Sequence, residues 1–236
     1  LYFYSLFSCM GHLSKVDGIV SESEIQAARQ IMRKLRLNEE QTIAAMDAFR
    51  AGKDKNFNIH YYLRQLRDKS KGNKNVLRVF MEFQLVAAYS DGSLSTKERQ
   101  LLISMAYSLG ISKKEFDEIH RKFKAQKQFE EQFNAQFNQQ QSHQKRYQYQ
   151  EQNQRQNVNK PQNQQVTLKS AYTILEVTQT ADAQTVKRAY RKQMNNYHPD
   201  KLAAKGLPDD LMKSATEKAQ NIKAAYDMIK QSKGWK

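Results

Sequence analysis

Residues 186–201 read V-K-R-A-Y-R-K-Q-M-N-N-Y-H-P-D-K, a basic amphipathic stretch that leads directly into a His-Pro-Asp tripeptide. Mostly apolar positions recur there at steps of three and four residues, which is the period of one face of an α-helix. These positions are Val186, Ala189, Tyr190, Gln193 and Tyr197. Pro199 disfavours the α conformation at the residue before it. The sequence therefore predicts a helix that ends near Tyr197 and a loop that presents His198, Pro199 and Asp200.

Positive side chains interleave with the apolar face of this predicted helix. Lys187 lies one turn before Arg191, and Arg188 lies one turn before Lys192, so like charges are crowded at i,i+4. Each such pair destabilises an isolated helix by about 0.2–0.5 kcal/mol. We therefore expect an anionic partner on this face. A solvated face with no partner is the alternative.

The same stretch resembles the J domain of DnaJ-type co-chaperones, whose mark is His-Pro-Asp after a basic second helix. Residues 171–177, A-Y-T-I-L-E-V, resemble the first helix of that domain, and residues 222–229, I-K-A-A-Y-D-M-I, resemble the third. Glu176 stands where the family usually has Gly, and Asn196 stands where it often has Lys. The resemblance implies an antiparallel helical hairpin with the tripeptide at its tip.

The resemblance also implies what the tripeptide does: it docks on a DnaK-type chaperone and promotes ATP hydrolysis by that chaperone. Pro199 would fix the turn, His198 would set the loop by hydrogen bonding, and Asp200 would offer a carboxylate to an Arg of the partner. The predicted partner-binding residues are the tripeptide and its basic neighbours: His198, Pro199, Asp200, Lys187, Arg188, Arg191, Lys192 and Lys201.

Composition restricts the classes of partner and site. A net charge of +15 and a pI near 9.7 favour anionic partners, which include nucleic acid, anionic membranes and acidic protein surfaces. Nucleic acid is not expected, because no groove-reading motif or aromatic stacking platform accompanies the charge. The single Cys9 excludes an intrachain disulfide and a cysteine zinc site. No apolar run reaches eighteen residues, so nothing in this sequence predicts a membrane span.

An internal repeat organises the first half of the chain. K-V-D-G-I-V-S-E-S-E-I from Lys15 matches Y-S-D-G-S-L-S-T-K-E-R from Tyr89, at an offset of 74 residues. Each copy predicts an Asp-Gly turn followed by a Ser-x-x-Glu capping box that opens a helix. A duplicated helical unit packed on itself is the predicted structure, and it resembles the TerB-like domain of tellurite-resistance-type proteins. By the repeat, the aromatic-rich residues 1–4, L-Y-F-Y, are expected to begin a buried first helix, and the tail of a membrane segment is the alternative.

The helices of this unit have predicted ends. Asn38, Ser112 and Asn58 are the expected N-caps, and Gly52 is the expected end of the third helix. Four acidic residues near the turns raise the question of a divalent metal: Asp17, Glu24, Asp91 and Glu98. Capping boxes and turn chemistry account for them without a metal, and the EF-hand spacing is missing. We therefore predict no metal and no cofactor.

Residues 126–165 are dominated by Gln and Asn. Such a segment buries too little apolar surface to offset the entropy of ordering. Its first turns are expected to extend the helix that begins after Ser112, because Phe129, Phe133 and Phe137 recur at i,i+4. Beyond those turns we expect a flexible tether, with a further break at Pro161.

These observations predict an all-α chain with a duplicated helical TerB-like bundle over residues 1–125, a flexible, mostly disordered Gln/Asn-rich linker over 126–166 and a C-terminal J-domain helical hairpin over 167–236. The order of parts resembles membrane-anchored DnaJ-like co-chaperones of the DjlA type. That resemblance implies a membrane segment upstream of Leu1, a location at the cytoplasmic face of the bacterial inner membrane for the full-length protein, and a soluble fragment here.

The predicted function is that of a co-chaperone and not of an enzyme. The N-terminal helical domain is expected to serve self-association, with a homodimer left open, or sensing, or the binding of a client or ligand. The alternative is a basic scaffold that binds anionic lipid or nucleic acid through the N-terminal domain. Salt separates the two functions, because nonspecific binding to polyanions weakens steeply as salt rises.

Overall fold

A computed structural model describes the chain except for residues 17, 19–21, 148–160, 205–206, 208–210 and 236. The described residues contain helices and connecting turns but no strand, which confirms the all-α prediction. The helices are α1 (Tyr2–Leu13), α2 (Glu22–Lys34), α3 (Glu39–Gly52), α4 (Ile59–Lys69), α5 (Lys74–Ala88), α6 (Thr96–Ser108), α7 (Lys113–Tyr147), α8 (Pro161–Leu175), α9 (Ala183–Tyr197), α10 (Pro199–Ala203) and α11 (Met212–Ser232).

The chain divides into two compact units, and each unit consists of two segments that are separated in the sequence. The first unit consists of Leu1–His120 together with Asn195–Lys218, and the second consists of Arg121–Met194 together with Ala219–Lys236. The predicted domain boundaries at residues 125 and 166 remain predictions. No described helix has the length and apolar character needed to cross a membrane.

The internal repeat is visible in the helices of the first unit. α2 and α6 each have 13 residues and begin 74 residues apart, and α3 and α7 begin at the same spacing. The local signals set these starts, because the first helical N–H groups need side-chain acceptors. Ser95 and Glu98 form the predicted capping box. The matching box of the first copy lies outside the described residues, since Ser21 is among those not described.

The remaining predicted N-caps are confirmed. Asn38 accepts from the backbone N–H of Gln41 at 2.8 Å, and the Gln41 side chain accepts in return from the Asn38 backbone. Ser112 and Glu115 form the same reciprocal pair, and Asn58 accepts from the backbone of Tyr61. Short-range sequence therefore determines where these helices begin.

The centre of the first unit is a close crossing of α1 and α3. A Cβ atom added at Gly11 would lie 1.9 Å from the Phe49 carbonyl oxygen, and one added at Gly52 would lie 1.8 Å from the Ser8 carbonyl oxygen. The two backbones therefore touch at a point where only glycine fits. α1 is a buried helix, as predicted, and its Tyr2 packs edge-on against Phe80 at 5.7 Å between ring centroids.

Helix covers more of the Gln/Asn-rich region than the sequence predicted. α7 continues to Tyr147, well past the expected first turns, and α8 begins at Pro161. Proline is suited to the first turn of a helix because its missing N–H would be unpaired there in any case. Phe129 is buried, as the apolar spacing suggested. Of the linker predicted over 126–166, residues 148–160 lie outside the described residues.

The second unit contains the core of the helical hairpin. Val186 of α9 is fully buried, as are Ala225 and Ile229 of α11. Tyr190 and Tyr226 stack with ring centroids 4.4 Å apart. Val186 and Tyr190 belong to the apolar face that the sequence predicted for α9, and their partners on α11 lie in the stretch that resembles the third helix of the J domain.

Candidate functional site

The tripeptide forms a turn between α9 and a short helix. His198 has φ −64° and ψ 126° and is the N-cap of α10, so the predicted departure from α geometry before proline is confirmed. The predicted loop is wrong for Pro199 and Asp200, which form the first turn of α10. The physical reason is that proline, with φ fixed near −65°, is preorganised for the first helical position. The backbone N–H of Leu202 donates to the His198 carbonyl at 3.0 Å and closes the turn.

The Asp200 side chain of this turn faces solvent, whereas the His198 side chain is about half exposed and its Nδ1 atom is buried. The Asp200 side chain is 89% exposed and the His198 side chain is 45% exposed. His198 Nδ1 lies 3.8 Å from Asp200 Oδ2, which is too long for a hydrogen bond, and this nitrogen has no partner among the described residues. Lys201 is exposed and bonds Asn195. The Asp200 carboxylate is therefore open to a cationic group from outside.

The predicted basic residues of α9 are also on the surface. Lys187, Arg188, Arg191 and Lys192 are all exposed. Lys192 donates to Glu176 Oε2 at 3.2 Å. The face is thus accessible, and the anionic partner predicted for it remains a prediction.

Glu176 has a role that sequence reasoning missed. Its φ of +60° lies in the left-handed region, which favours Gly, the residue that the resemblance to the J domain leads one to expect at this position. Its carboxylate bonds both Lys192 and the nearly buried Lys122 of α7. Burial opposes ionisation of Glu176, but the bonds and charges of the two lysines outweigh it and lower the pKa. A Glu side chain is less favourable than Gly at this positive φ, but it provides an ion pair with Lys122 of α7.

Glu82 of α5 is the second residue that sequence reasoning did not select. The Tyr197 hydroxyl donates to Glu82 Oε1 at 2.9 Å, and Lys218 of α11 bonds Glu82 Oε2. In the same unit, Lys34 of α2 pairs with Glu217 at 2.6 Å. The sequence does show an acidic residue at the centre of the apolar helix α5, which could have been selected. Its contacts with Tyr197 and Lys218 could not be predicted from the neighbouring residues, because both partners are distant in the sequence.

The acidic residues considered as metal ligands have different positions. Glu98 is buried and serves the capping box, and Glu24 and Glu98 line the same small cavity. Asp91 accepts from the backbone of Ser93, whereas Asp17 lies outside the described residues. Within the described part of the chain no three His, Cys, Asp or Glu side chains come together as a metal site. The absence of a metal remains a prediction.

Comparison with known families identifies two domains in the chain. The family described as "Tellurite resistance protein TerB" matches residues 4–122, and the family described as "DnaJ domain" matches residues 170–234. The chain is thus a J-domain protein with an N-terminal TerB domain. Comparison with solved structures gave no match.

Several curated relatives match this chain over its full length. The co-chaperone protein DjlA of Yersinia pestis is 42% identical over 236 residues, which cover 100% of this chain and 81% of the relative. DjlA of Photorhabdus laumondii is 41% identical with the same coverage, and DjlA of Escherichia coli K12 is 40% identical over 237 residues, again 81% of the relative. The chain belongs to the DjlA family of J-domain co-chaperones.

Proposed function

We propose that this co-chaperone docks on a DnaK-type chaperone through His198-Pro199-Asp200 and stimulates ATP hydrolysis by that chaperone. The chemistry takes place in the partner, so the chain itself is not an enzyme in this proposal. The observation that carries it is the tripeptide turn: Asp200 is 89% exposed on a backbone fixed by Pro199 and α10. Membership of a J-domain co-chaperone family supports the choice of partner.

The geometry supports specific roles for the tripeptide. An exposed carboxylate on a fixed turn can accept two N–H bonds from an Arg of the partner, which is stronger and more directional than contact with a single charge. Because α10 already orders the backbone, little conformational entropy is lost on docking. The exposed basic residues of α9 would raise the rate of encounter with an acidic chaperone surface more than the final affinity.

The N-terminal helical domain has a separate role in this proposal: self-association, sensing, or the binding of a client. It leaves Ile43 of α3 and Tyr107 of α6 each 58% exposed, and apolar side chains of this size are suited to protein contacts. Attachment to the inner membrane at its cytoplasmic face belongs to the same proposal and rests on the resemblance to membrane-anchored co-chaperones of the DjlA type.

The test is the steady-state ATPase activity of a DnaK-type chaperone with the wild-type chain and with His198→Gln. The variant is expected to abolish stimulation and to leave the helical circular dichroism and the melting midpoint unchanged. The His198 side chain is about half exposed and lies in a turn outside the core, so its substitution should change stability by less than about 0.5 kcal/mol. His143→Gln, the same chemical change outside the tripeptide, is the matched control and is expected to stimulate normally. Equal stimulation by His198→Gln and wild type would refute the proposal.

A further inference from the structure

Glu82 is an acidic residue on the buried side of an apolar helix. α5 reads K-N-V-L-R-V-F-M-E-F-Q-L-V-A-A, and the Glu82 side chain is only 8% exposed. In the internal repeat the corresponding residue of α1 is Ser8, at the same offset of 74. A buried carboxylate is costly unless charges and hydrogen bonds compensate it. The core of the helical repeat does not require this carboxylate, since the first copy has Ser8 at the equivalent position.

The partners of Glu82 come from the segment that carries the tripeptide. Tyr197 donates its hydroxyl to Oε1 and Lys218 bonds Oε2, so each carboxylate oxygen has its own donor. Lys218 Nζ also lies 5.4 Å from the centroid of the Tyr197 ring, within cation–π range. Burial and the charge of Glu82 raise the pKa of the Tyr197 phenol well above its ordinary value, against the opposing charge of Arg78. Tyr197 therefore remains a hydrogen-bond donor.

The position of Tyr197 links this contact to the tripeptide. Tyr197 is the last residue of α9 and directly precedes His198, whose carbonyl accepts the bond that closes α10. Tyr197 is 6% exposed, whereas the side chains of His198 and Asp200 are 45% and 89% exposed. The contact thus fixes the residue before the turn without covering the side chains that the turn presents. This arrangement is suited to orienting the tripeptide and not to masking it.

We propose that Glu82 is a positioning residue for the co-chaperone site: through Tyr197 it holds His198-Pro199-Asp200 in the orientation offered to the chaperone. The effect on chaperone activity rests on the proposed function. Losing the contact allows the turn to sample other orientations, and the binding-competent fraction falls. The concentration of chain that gives half-maximal stimulation is then expected to rise about 3- to 10-fold. The maximal stimulation is unchanged, because the tripeptide itself is intact.

The experiment uses the full chain with Glu82→Gln, Tyr197→Phe and the double variant. Glu82→Gln keeps the shape and removes the charge, and Tyr197→Phe keeps the ring and removes the donor. Glu115→Gln is the matched control, because it makes the same chemical change at an ion pair with Lys74. The first readout is amide exchange at Leu202 and Ala204, whose N–H groups close α10. The second is the half-maximal concentration and plateau of chaperone ATPase stimulation.

Faster exchange at these two amides is expected in each single variant, because Tyr197→Phe removes the hydroxyl donor and Glu82→Gln replaces the carboxylate acceptor with a weaker neutral one. The increase in the double variant should be smaller than the sum of the two single increases, because both substitutions act on one contact. Glu115→Gln should leave exchange and stimulation as in wild type. Unchanged amide exchange in both Glu82→Gln and Tyr197→Phe would overturn the inference. Stronger stimulation of the chaperone ATPase by either variant than by wild type would overturn it as well. If Glu82→Gln fails to fold, Tyr197→Phe decides alone. A wild-type chain that does not stimulate would refute the proposed function, and the exchange arm would still decide the positioning contact.

Discussion

Gly52→Ala tests the crossing of α1 and α3, on which the N-terminal helical fold depends. The added Cβ would lie 1.8 Å from the Ser8 carbonyl oxygen and 2.6 Å from its carbon. An ordinary C–H···O contact is roughly 3.3 Å long, so the helices would have to separate by about 1.5 Å. Overpacking of this kind costs typically about 1–3 kcal/mol, and backbone atoms cannot move aside as a side chain would. The higher helix propensity of Ala returns at most about 1 kcal/mol.

Because backbone atoms cannot move aside, the upper end of the overpacking cost applies, and after the gain in helix propensity a net destabilisation of about 2 kcal/mol is expected. It is measured as the free energy of unfolding from urea titration followed by circular dichroism. Gly11→Ala should behave alike, because its Cβ would meet the Phe49 carbonyl at 1.9 Å. Ala44→Gly, at an exposed position of the same helix, is the control for helix propensity and should cost about 1 kcal/mol. A Gly52→Ala chain as stable as wild type would show that α1 and α3 do not cross at this distance.

Two further predictions concern the same unit. Cys9 is fully buried and burial raises the pKa of its thiol, so a water-soluble disulfide reagent should modify it only as fast as the chain unfolds. Rapid modification of the native chain would contradict the burial of α1. Ser95→Ala removes the acceptor for the Glu98 backbone N–H and should lower the free energy of unfolding by about 1 kcal/mol, whereas Ser95→Gly should cost only about a few tenths. Equal stability of Ser95→Ala and wild type in urea would mean that solvent caps α6 equally well.

Local signals explain what the sequence predicted well. An N-cap acts on N–H groups two or three residues away, so Asn38, Asn58 and Ser112 could be assigned without knowledge of the tertiary structure. The apolar spacing that begins at Val186 likewise reports the buried face of α9 itself. These features depend on neighbouring residues only.

Contacts between distant residues explain what was missed. Glu82 and Tyr197 are 115 residues apart, and no periodicity in either helix indicates that they meet. Glu176 was recognised as a departure from the related domains, but its pairing with Lys122 required the tertiary structure. At Pro199 two proline effects compete: proline excludes its predecessor from the helix and also starts a new one. The loop prediction considered only the first effect.

The most direct test of the account is single-turnover ATP hydrolysis by a DnaK-type chaperone, with increasing concentrations of the wild-type chain at physiological ionic strength, about 0.15 M. A J-domain co-chaperone should give a hydrolysis rate that rises with the concentration of the chain and then saturates. This stimulation should persist at a salt concentration where nonspecific binding to DNA or anionic vesicles is lost. A hydrolysis rate that the folded chain does not change at any concentration would contradict the central claim.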